Sequence, residues 1–70
     1  MEQSEARQLF TRLKFTRPFA PFEVETANGQ RIKVGRAFAF AIGPKRVLLH
    51  DHSEHLHLVR YDDVKTVCCA

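Results

Sequence analysis

Four histidines within eight residues form the densest group of potential metal ligands in the chain: His50, His52, His55 and His57. Imidazole nitrogens suit zinc and nickel. A tight turn at residues 52–53 would place His50 opposite His55 and diagonal to His57 on one face of a hairpin. Because His-x-His pairs are common in exposed strands without metal, we predict no metal and no other cofactor. His50, His55 and His57 are the candidates if a metal is bound.

The charge balance permits a partner that carries phosphate. The chain has 11 Lys or Arg against 8 Asp or Glu, a formal net charge of +3, which is a mild excess for a nucleic-acid-binding protein. Arg12, Lys14 and Arg17 cluster at the end of the first segment, where cations also favour a helix C-terminus. The basic residues that we predict as RNA contacts are Arg7, Arg12, Lys14, Arg17 and Arg36.

Patterns of known catalytic sites do not occur in this sequence. There is no nucleophile elbow, phosphate loop or metalloprotease helix. Asp62 and Asp63 are adjacent, so their side chains are expected to point apart, which is typical of a strand breaker and not of an acid–base pair. We predict that the protein is not an enzyme.

Helical spacing of apolar residues predicts an amphipathic helix over residues 4–15. One side of this helix carries Ala6, Leu9, Phe10 and Leu13. Pro18 restricts Arg17 to an extended conformation and stops the helix. An extended linker with Pro18 and Pro21 then leads to the strands.

Alternation of apolar and charged residues from Phe22 onwards predicts a first strand, and the Asn28-Gly29 pair predicts the hairpin after it. A three-residue loop at 27–29, with Gly29 in the left-handed region, keeps apolar residues opposite each other. It pairs Val24 with Ile32, whereas a two-residue loop would place Val24 opposite a lysine.

The second predicted strand is long, from residue 30 to residue 42, and bends at Gly35. Its parity assigns Phe38 and Phe40 to the core. The opposite face of this strand carries small side chains, as close approach of another element would require. It carries Ala37, Ala39 and Ala41.

Three further strands are predicted over residues 47–51, 54–61 and 64–69. A four-residue loop at 43–46 places Ile42 opposite Val47 and Phe40 opposite Leu49. The tight turn at 52–53 then pairs Leu49 with Leu56 and Val47 with Leu58.

Together these elements predict one domain over residues 1–70, mainly β (α+β), in which the N-terminal helix precedes a five-stranded, strongly bent antiparallel barrel built from residues 22–69. A core of this size supplies only about 3–5 kcal/mol of stability, so self-association is expected. No apolar run approaches the ~20 residues of a membrane span, and we expect a cytoplasmic protein that does not enter the membrane.

The order of these elements resembles the Sm-like fold, which includes the Hfq-like RNA chaperones. The residues that carry the resemblance are Asn28-Gly29, Gly35 and the tail from Leu58 to Val67. The resemblance implies a homo-oligomeric ring, in which the fourth strand of one subunit pairs with the fifth strand of the next. Hfq-like proteins use Lys-His and other Sm-like proteins Arg-Gly to bind uridine where this chain has Tyr61 and Asp62. This departure implies that the usual uridine pocket is absent, while Tyr61 is expected to stack on a base.

A closer resemblance is to small bacterial proteins with no assigned activity. Their pattern is an N-terminal helix, a Pro-Phe-x-Pro-Phe segment and an Asp-Gly or Asn-Gly turn. This chain matches it with Pro18-Phe19-Ala20-Pro21-Phe22 and Asn28-Gly29, while the following His-Pro-Glu-Phe segment keeps only Phe38.

Three functional hypotheses follow. The first is a ring-forming Sm-like protein that binds single-stranded RNA through the basic residues above and Tyr61. The alternative is a protein-interaction or assembly barrel that binds no nucleic acid. The third is a histidine-based metal-binding module.

Overall fold

The computed structural model describes residues 1–69, with side chains described for residues 1–68. It contains one helix, α1 (Gln3–Phe15), and six strands: β1 (Phe22–Thr26), β2 (Arg31–Val34), β3 (Phe40–Ile42), β4 (Arg46–His50), β5 (Leu56–Arg60) and β6 (Val64–Cys69). Short 3₁₀-helices at Ala37–Ala39 and Tyr61–Asp63 precede β3 and β6.

Helix α1 confirms the prediction for residues 4–15. Its first turn is capped by the Glu2 carboxylate, which accepts a hydrogen bond from the Ser4 amide at 3.1 Å. Ala6 and Phe10, one turn apart, are completely buried and anchor the helix to the sheets. The helix ends before Thr16, whose backbone is extended.

The strands form two three-stranded antiparallel sheets, in the orders β2-β1-β6 and β3-β4-β5. The coarse prediction of an α+β fold with antiparallel strands is confirmed. The prediction of five strands in a barrel is wrong, because the described residues form six strands and no closed barrel. The predicted long second strand is interrupted, because Ala37–Ala39 forms a 3₁₀-helix that separates β2 from β3.

The first hairpin has the predicted register. Val24 pairs with Ile32, Glu23 with Lys33 and Glu25 with Arg31. Gly29 adopts a φ of 90°, in the left-handed region that favours glycine. The predicted three-residue loop is therefore confirmed.

The second sheet follows the prediction in one hairpin and departs from it in the other. Phe40 pairs with Leu49 and Ile42 with Val47, as predicted. Between β4 and β5, however, Leu49 pairs with His57 and Val47 with Val59, so the predicted pairing with Leu56 and Leu58 is wrong. The turn contains five residues, 51–55, closed by a hydrogen bond from the Asp51 amide to the His55 carbonyl at 3.1 Å. The one-residue change of register exchanges the two faces of β5.

The core lies between the two sheets and under α1. The Phe10 ring packs 6.0 Å from Phe22, 6.2 Å from Phe40 and 6.1 Å from Tyr61, measured between ring centroids. One helical side chain therefore contacts aromatic rings from both sheets. Phe38, predicted in the core, is instead 79% exposed, because the 3₁₀-helix replaces the strand that would have directed it inwards.

Candidate functional site

The outer surface of the second sheet carries leucines that a monomer leaves in water. Three side chains from β4 and β5 form this surface, which we call the leucine face: Leu48, Leu56 and Leu58. They are 36%, 67% and 60% exposed, respectively. Leu48 pairs with Leu58 in the ladder, and Ala41 of β3 lies on the other side of Leu48 in the same row. Exposed apolar rows of this kind mark contact surfaces in soluble proteins.

Successive side chains of β4 and β5 point alternately into and away from the core, and this explains why the leucines face outwards. Val47, Leu49 and Val59 point into the core and are buried, so their neighbours on each strand must point away from it. Sequence reasoning missed this surface because it assumed a two-residue turn at 52–53. The signal that would have found it is Asp51, a residue that hydrogen-bonds to backbone amides downstream of itself.

The Asp51 carboxylate organises the turn. Its Oδ1 accepts hydrogen bonds from the amides of Ser53 at 2.9 Å and His55 at 3.0 Å, and its Oδ2 lies 2.8 Å from His57 Nε2. The hydrogen bonds from the His57 ring and the His55 amide lower the pKa of Asp51 from 3.8 to about 2. Glu54, in the same turn, has a φ of 66°, an unfavourable value for a residue with a side chain.

His57 connects the turn to the first hairpin. Its Nδ1 lies 3.2 Å from Gln30 Nε2, while its Nε2 contacts Asp51. The neutral ring with hydrogen on Nε2 satisfies both contacts, since it donates to the carboxylate and accepts from the amide. This histidine is occupied by structural contacts on both nitrogens.

The structure does not assemble the predicted histidine cluster. His50 pairs with Leu56 on the outer face, and His57 pairs with Leu49 on the inner side of the sheet. His55 lies in the turn, with its Nδ1 3.9 Å from Asp51 Oδ2. Within the described residues no group of three or more His, Cys, Asp or Glu side chains could hold a metal ion. The candidates His50, His55 and His57 therefore lie on two faces and in the turn of the hairpin, and not on one face as predicted.

The side chains of three predicted RNA contacts, Arg7, Arg12 and Arg17, make no hydrogen bond or ion pair with the part of the chain that the structure describes. Arg7 and Arg12 are exposed on α1 and line an open cleft along the helix, together with Gln8, Thr11 and the acidic Glu2. Arg17 is exposed in the linker. A guanidinium in this position reaches a phosphate without losing a protein contact.

Lys14 has a structural role. Its Nζ donates hydrogen bonds to the carbonyls of Ala37 at 3.1 Å and Phe40 at 2.7 Å, and it lies 4.6 Å above the Phe40 ring centroid. These contacts attach α1 to the 3₁₀-helix and β3. Lys14 is removed from the RNA-contact set because phosphate would have to displace them.

Tyr61 is removed for a similar reason. The side chain is completely buried, and its hydroxyl donates a hydrogen bond to the Gly43 carbonyl at 2.7 Å. Burial raises the pKa of Tyr61 above its usual value of 10. A buried ring presents no face on which a base could stack.

Arg36 is exposed beside Phe38, with its guanidinium carbon 5.7 Å from the ring centroid. The sequence predicted a role for the arginine and assigned the phenylalanine to the core. In the structure the two form one exposed pair at the edge of the second sheet.

Comparison of the chain with protein-family models, curated proteins and solved structures finds no match. Among the described residues, α1 is too short and too polar to cross a membrane.

Proposed function

We propose that the protein works by assembly as an Sm-like subunit, in which β5 of one copy pairs with β6 of the next, without catalysis and in the cytoplasm. The observation that carries this proposal is the exposed pair Leu56 and Leu58 on β5. This strand pairs only with β4, and β6 pairs only with β1 in the described structure. Each therefore offers one edge to another chain.

A comparison with β2, an edge strand of the first sheet, supports the choice of β5. Edge strands of monomeric proteins commonly carry charged side chains that prevent pairing with other chains. β2 follows this rule, since its outward residues are Arg31 and Lys33, both exposed. β5 places leucines at the corresponding positions. Self-association would bury these side chains and add stability to a core built from only 70 residues.

Light scattering of the purified protein over a concentration series tests this proposal. We expect a mass that is a whole-number multiple of 8.1 kDa, and we expect Leu58→Lys to reduce it to one chain because a charge at the edge opposes pairing. Lys33→Glu, on the β2 edge, is the control and should leave the mass unchanged. A wild-type monomer throughout the series, or an unchanged mass after Leu58→Lys, would contradict assembly through β5.

Single-stranded RNA binding is a second candidate, and the exposed pair Arg7 and Arg12 favours it. The two guanidiniums line the same cleft of α1 and form no ion pair within the described residues. Contacts of this kind give electrostatic, weakly sequence-selective binding. The supporting set is smaller than predicted, because Lys14 and Tyr61 are engaged inside the protein.

Binding of fluorescent poly-uridine and poly-adenosine strands across a salt series tests this second candidate. Replacing Arg7 and Arg12 by alanine should reduce the slope of log affinity against log salt by about 1.4. Arg31→Ala, at the far hairpin, should not change it. Absence of binding at low salt, or an affinity that does not respond to salt, would reject RNA as the ligand.

A further inference from the structure

The outer face of the second sheet carries opposite charges at its two ends. At the open end of the β4–β5 hairpin, Arg46 and Arg60 lie directly opposite each other and point outwards. At the turn end, the exposed Glu54 lies with Phe38 and His50 around a cleft of about 220 Å³. The leucine face occupies the rows between these ends. The surface is therefore apolar in the middle, positive at one end and negative at the other.

Neighbouring charged groups preserve this difference. At the open end, Asp62 lies 3.8 Å from Arg60 and offsets one of the two arginines, so one positive charge remains. Two acids, one arginine and two histidines line the cleft at the turn end: Asp51, Glu54, Arg36, His50 and His52. With neutral histidines, one negative charge remains there. We assign it to Glu54, since the Asp51 carboxylate is engaged by its own turn and Glu54 forms no ion pair within the described residues.

Pairing at the strand edges does not cover this face. A strand added beside β5 continues the sheet in its own plane, whereas Leu48 and Leu58 point out of that plane. Beside Leu48 lies a groove of about 210 Å³, whose lining includes Phe38, Ala41 and Leu56. The small side chain of Ala41 leaves space in this groove for a side chain from an opposing surface.

We propose that two copies of the protein pack these faces together around a twofold axis. Sheets that pack face to face lie about 10 Å apart with their strands nearly aligned, and the twofold axis makes the strands of the two copies antiparallel. With β4 over β4, the axis passes between the rows of Leu48 and His50. Arg46 of each copy then lies over the Glu54 turn of the other, and Leu58 faces the groove beside Ala41.

The charge pattern favours a second copy over other occupants. Twofold packing brings a positive end and a negative end together twice, so one surface supplies both halves of each contact. A segment with charges of a single sign would match only one end of the face. The inference goes beyond the proposed assembly and does not rest on it, because assembly uses the strand edges and this contact uses the sheet face.

The size of the face sets the strength of the contact. β4 spans five residues, or roughly 17 Å, and three strands are about 14 Å wide. An interface of this size belongs to the weak and transient class, so pairing is expected at high protein concentration.

Light scattering at protein concentrations up to about 1 mM, within the range of weak association, tests the inference. We expect the wild-type mass to double across the series. Arg46→Glu alone and Glu54→Arg alone should each weaken this doubling at least about tenfold, because like charges then meet. The double variant Arg46→Glu with Glu54→Arg should restore it, since the two ends keep opposite signs. Lys33→Glu, the matched reversal on the first sheet, should leave the doubling unchanged.

The apolar part of the contact has its own pair of variants. Phe38→Ala should weaken the doubling by about tenfold, whereas Phe15→Ala should not, although Phe15 is also an exposed phenylalanine. Both variants remove surface side chains and should keep the wild-type circular dichroism spectrum. An equal effect of the two truncations would count against packing through this face.

The charge variants separate this contact from assembly at the edges, because Arg46 and Glu54 lie outside the edge strands β5 and β6. Single variants that keep the wild-type mass, or a double variant that stays unpaired, would overturn face packing even if amides at the β5 edge become protected with concentration. Single variants that halve the mass, with rescue by the double variant and unchanged exchange at the β5 edge, would support face packing and reject edge assembly.

Discussion

The two hairpins β1–β2 and β4–β5 are similar in length and differ in what fixes their register. In the first, Gly29 supplies the left-handed residue without steric cost, and the loop has three residues. In the second, Glu54 occupies the left-handed position, and the Asp51 carboxylate holds a five-residue turn through two backbone amides. The first turn depends on backbone freedom and the second on side-chain hydrogen bonds.

Their outer faces differ as well. Glu23 lies 3.9 Å from Arg31, and Glu25 lies 4.0 Å from Lys65, so the outside of the first sheet is covered by solvated ion pairs. The outside of the second sheet carries the leucine face and two arginines, Arg46 and Arg60, which lie opposite each other in the β4–β5 ladder. The comparison teaches that the outer face of the first sheet is satisfied by charges within one chain, whereas the outer face of the second sheet leaves apolar side chains exposed.

The largest expected change in unfolding free energy comes from truncating the buried leucine of β4. Comparing it with truncation of an exposed leucine on β5 tests the register of the second hairpin. Leu49 is completely buried, so Leu49→Ala should cost about 2–5 kcal/mol of unfolding free energy. Leu56→Ala should change it by no more than about 0.5 kcal/mol in the monomer. Urea denaturation at low protein concentration measures both. A loss for Leu56→Ala as large as that for Leu49→Ala would mean that β5 has the opposite face inwards.

The glycine of the first turn should matter next. Gly29→Ala places a Cβ at a φ of 90° and should cost about 1–2 kcal/mol. Gly35→Ala is the control, because its φ is not positive and a Cβ there meets no atom within 4 Å. It should be neutral or slightly stabilising. Equal losses for the two variants, measured by thermal unfolding, would remove the left-handed requirement at residue 29.

In the second turn, introducing a glycine should stabilise the protein. Glu54→Gly relieves an unfavourable φ and should raise the unfolding free energy by up to about 1 kcal/mol. Ser53→Gly, one residue earlier, has no such strain to relieve and should lower it slightly. A lower melting temperature for Glu54→Gly than for the wild type would contradict the assigned backbone conformation.

The Asp51 carboxylate should make the second turn acid-sensitive. Because its folded pKa of about 2 is below the ordinary 3.8, its contribution is fully present above pH 3.8 and is lost as the pH falls towards 2. The difference in urea midpoint between wild type and Asp51→Asn should therefore shrink over that range. Asp62→Asn, which removes an exposed carboxylate elsewhere, corrects for net charge. A difference that stays constant between pH 5 and pH 2 would contradict the role of Asp51.

These differences also explain what the sequence predicted correctly. Helix α1, the first hairpin and the β3–β4 pairing could be predicted because apolar periodicity and glycine or proline chemistry agree there. The β4–β5 register could not, because apolar residues at 56 and 58 and the polar His57 favour the opposite face when read alone. The 3₁₀-helix before β3 was missed because its stabilising contacts come from Lys14, 23 residues away from Ala37.

The candidate site shows the same limit. Arg7, Arg12, Arg17 and Arg36 were predicted and are exposed, but the engagement of Lys14 and Tyr61 depends on tertiary packing. The exposure of the leucine face depends on the register of β5, which the sequence pattern did not predict.

Hydrogen exchange of backbone amides at low and high protein concentration tests most directly whether the second sheet is completed by another chain. We predict that amides of β5 and β6 directed away from their own sheets become protected as concentration rises, while edge amides of β2 keep their rates. Equal exchange at β5 and β6 across the concentration range would contradict assembly through these edges.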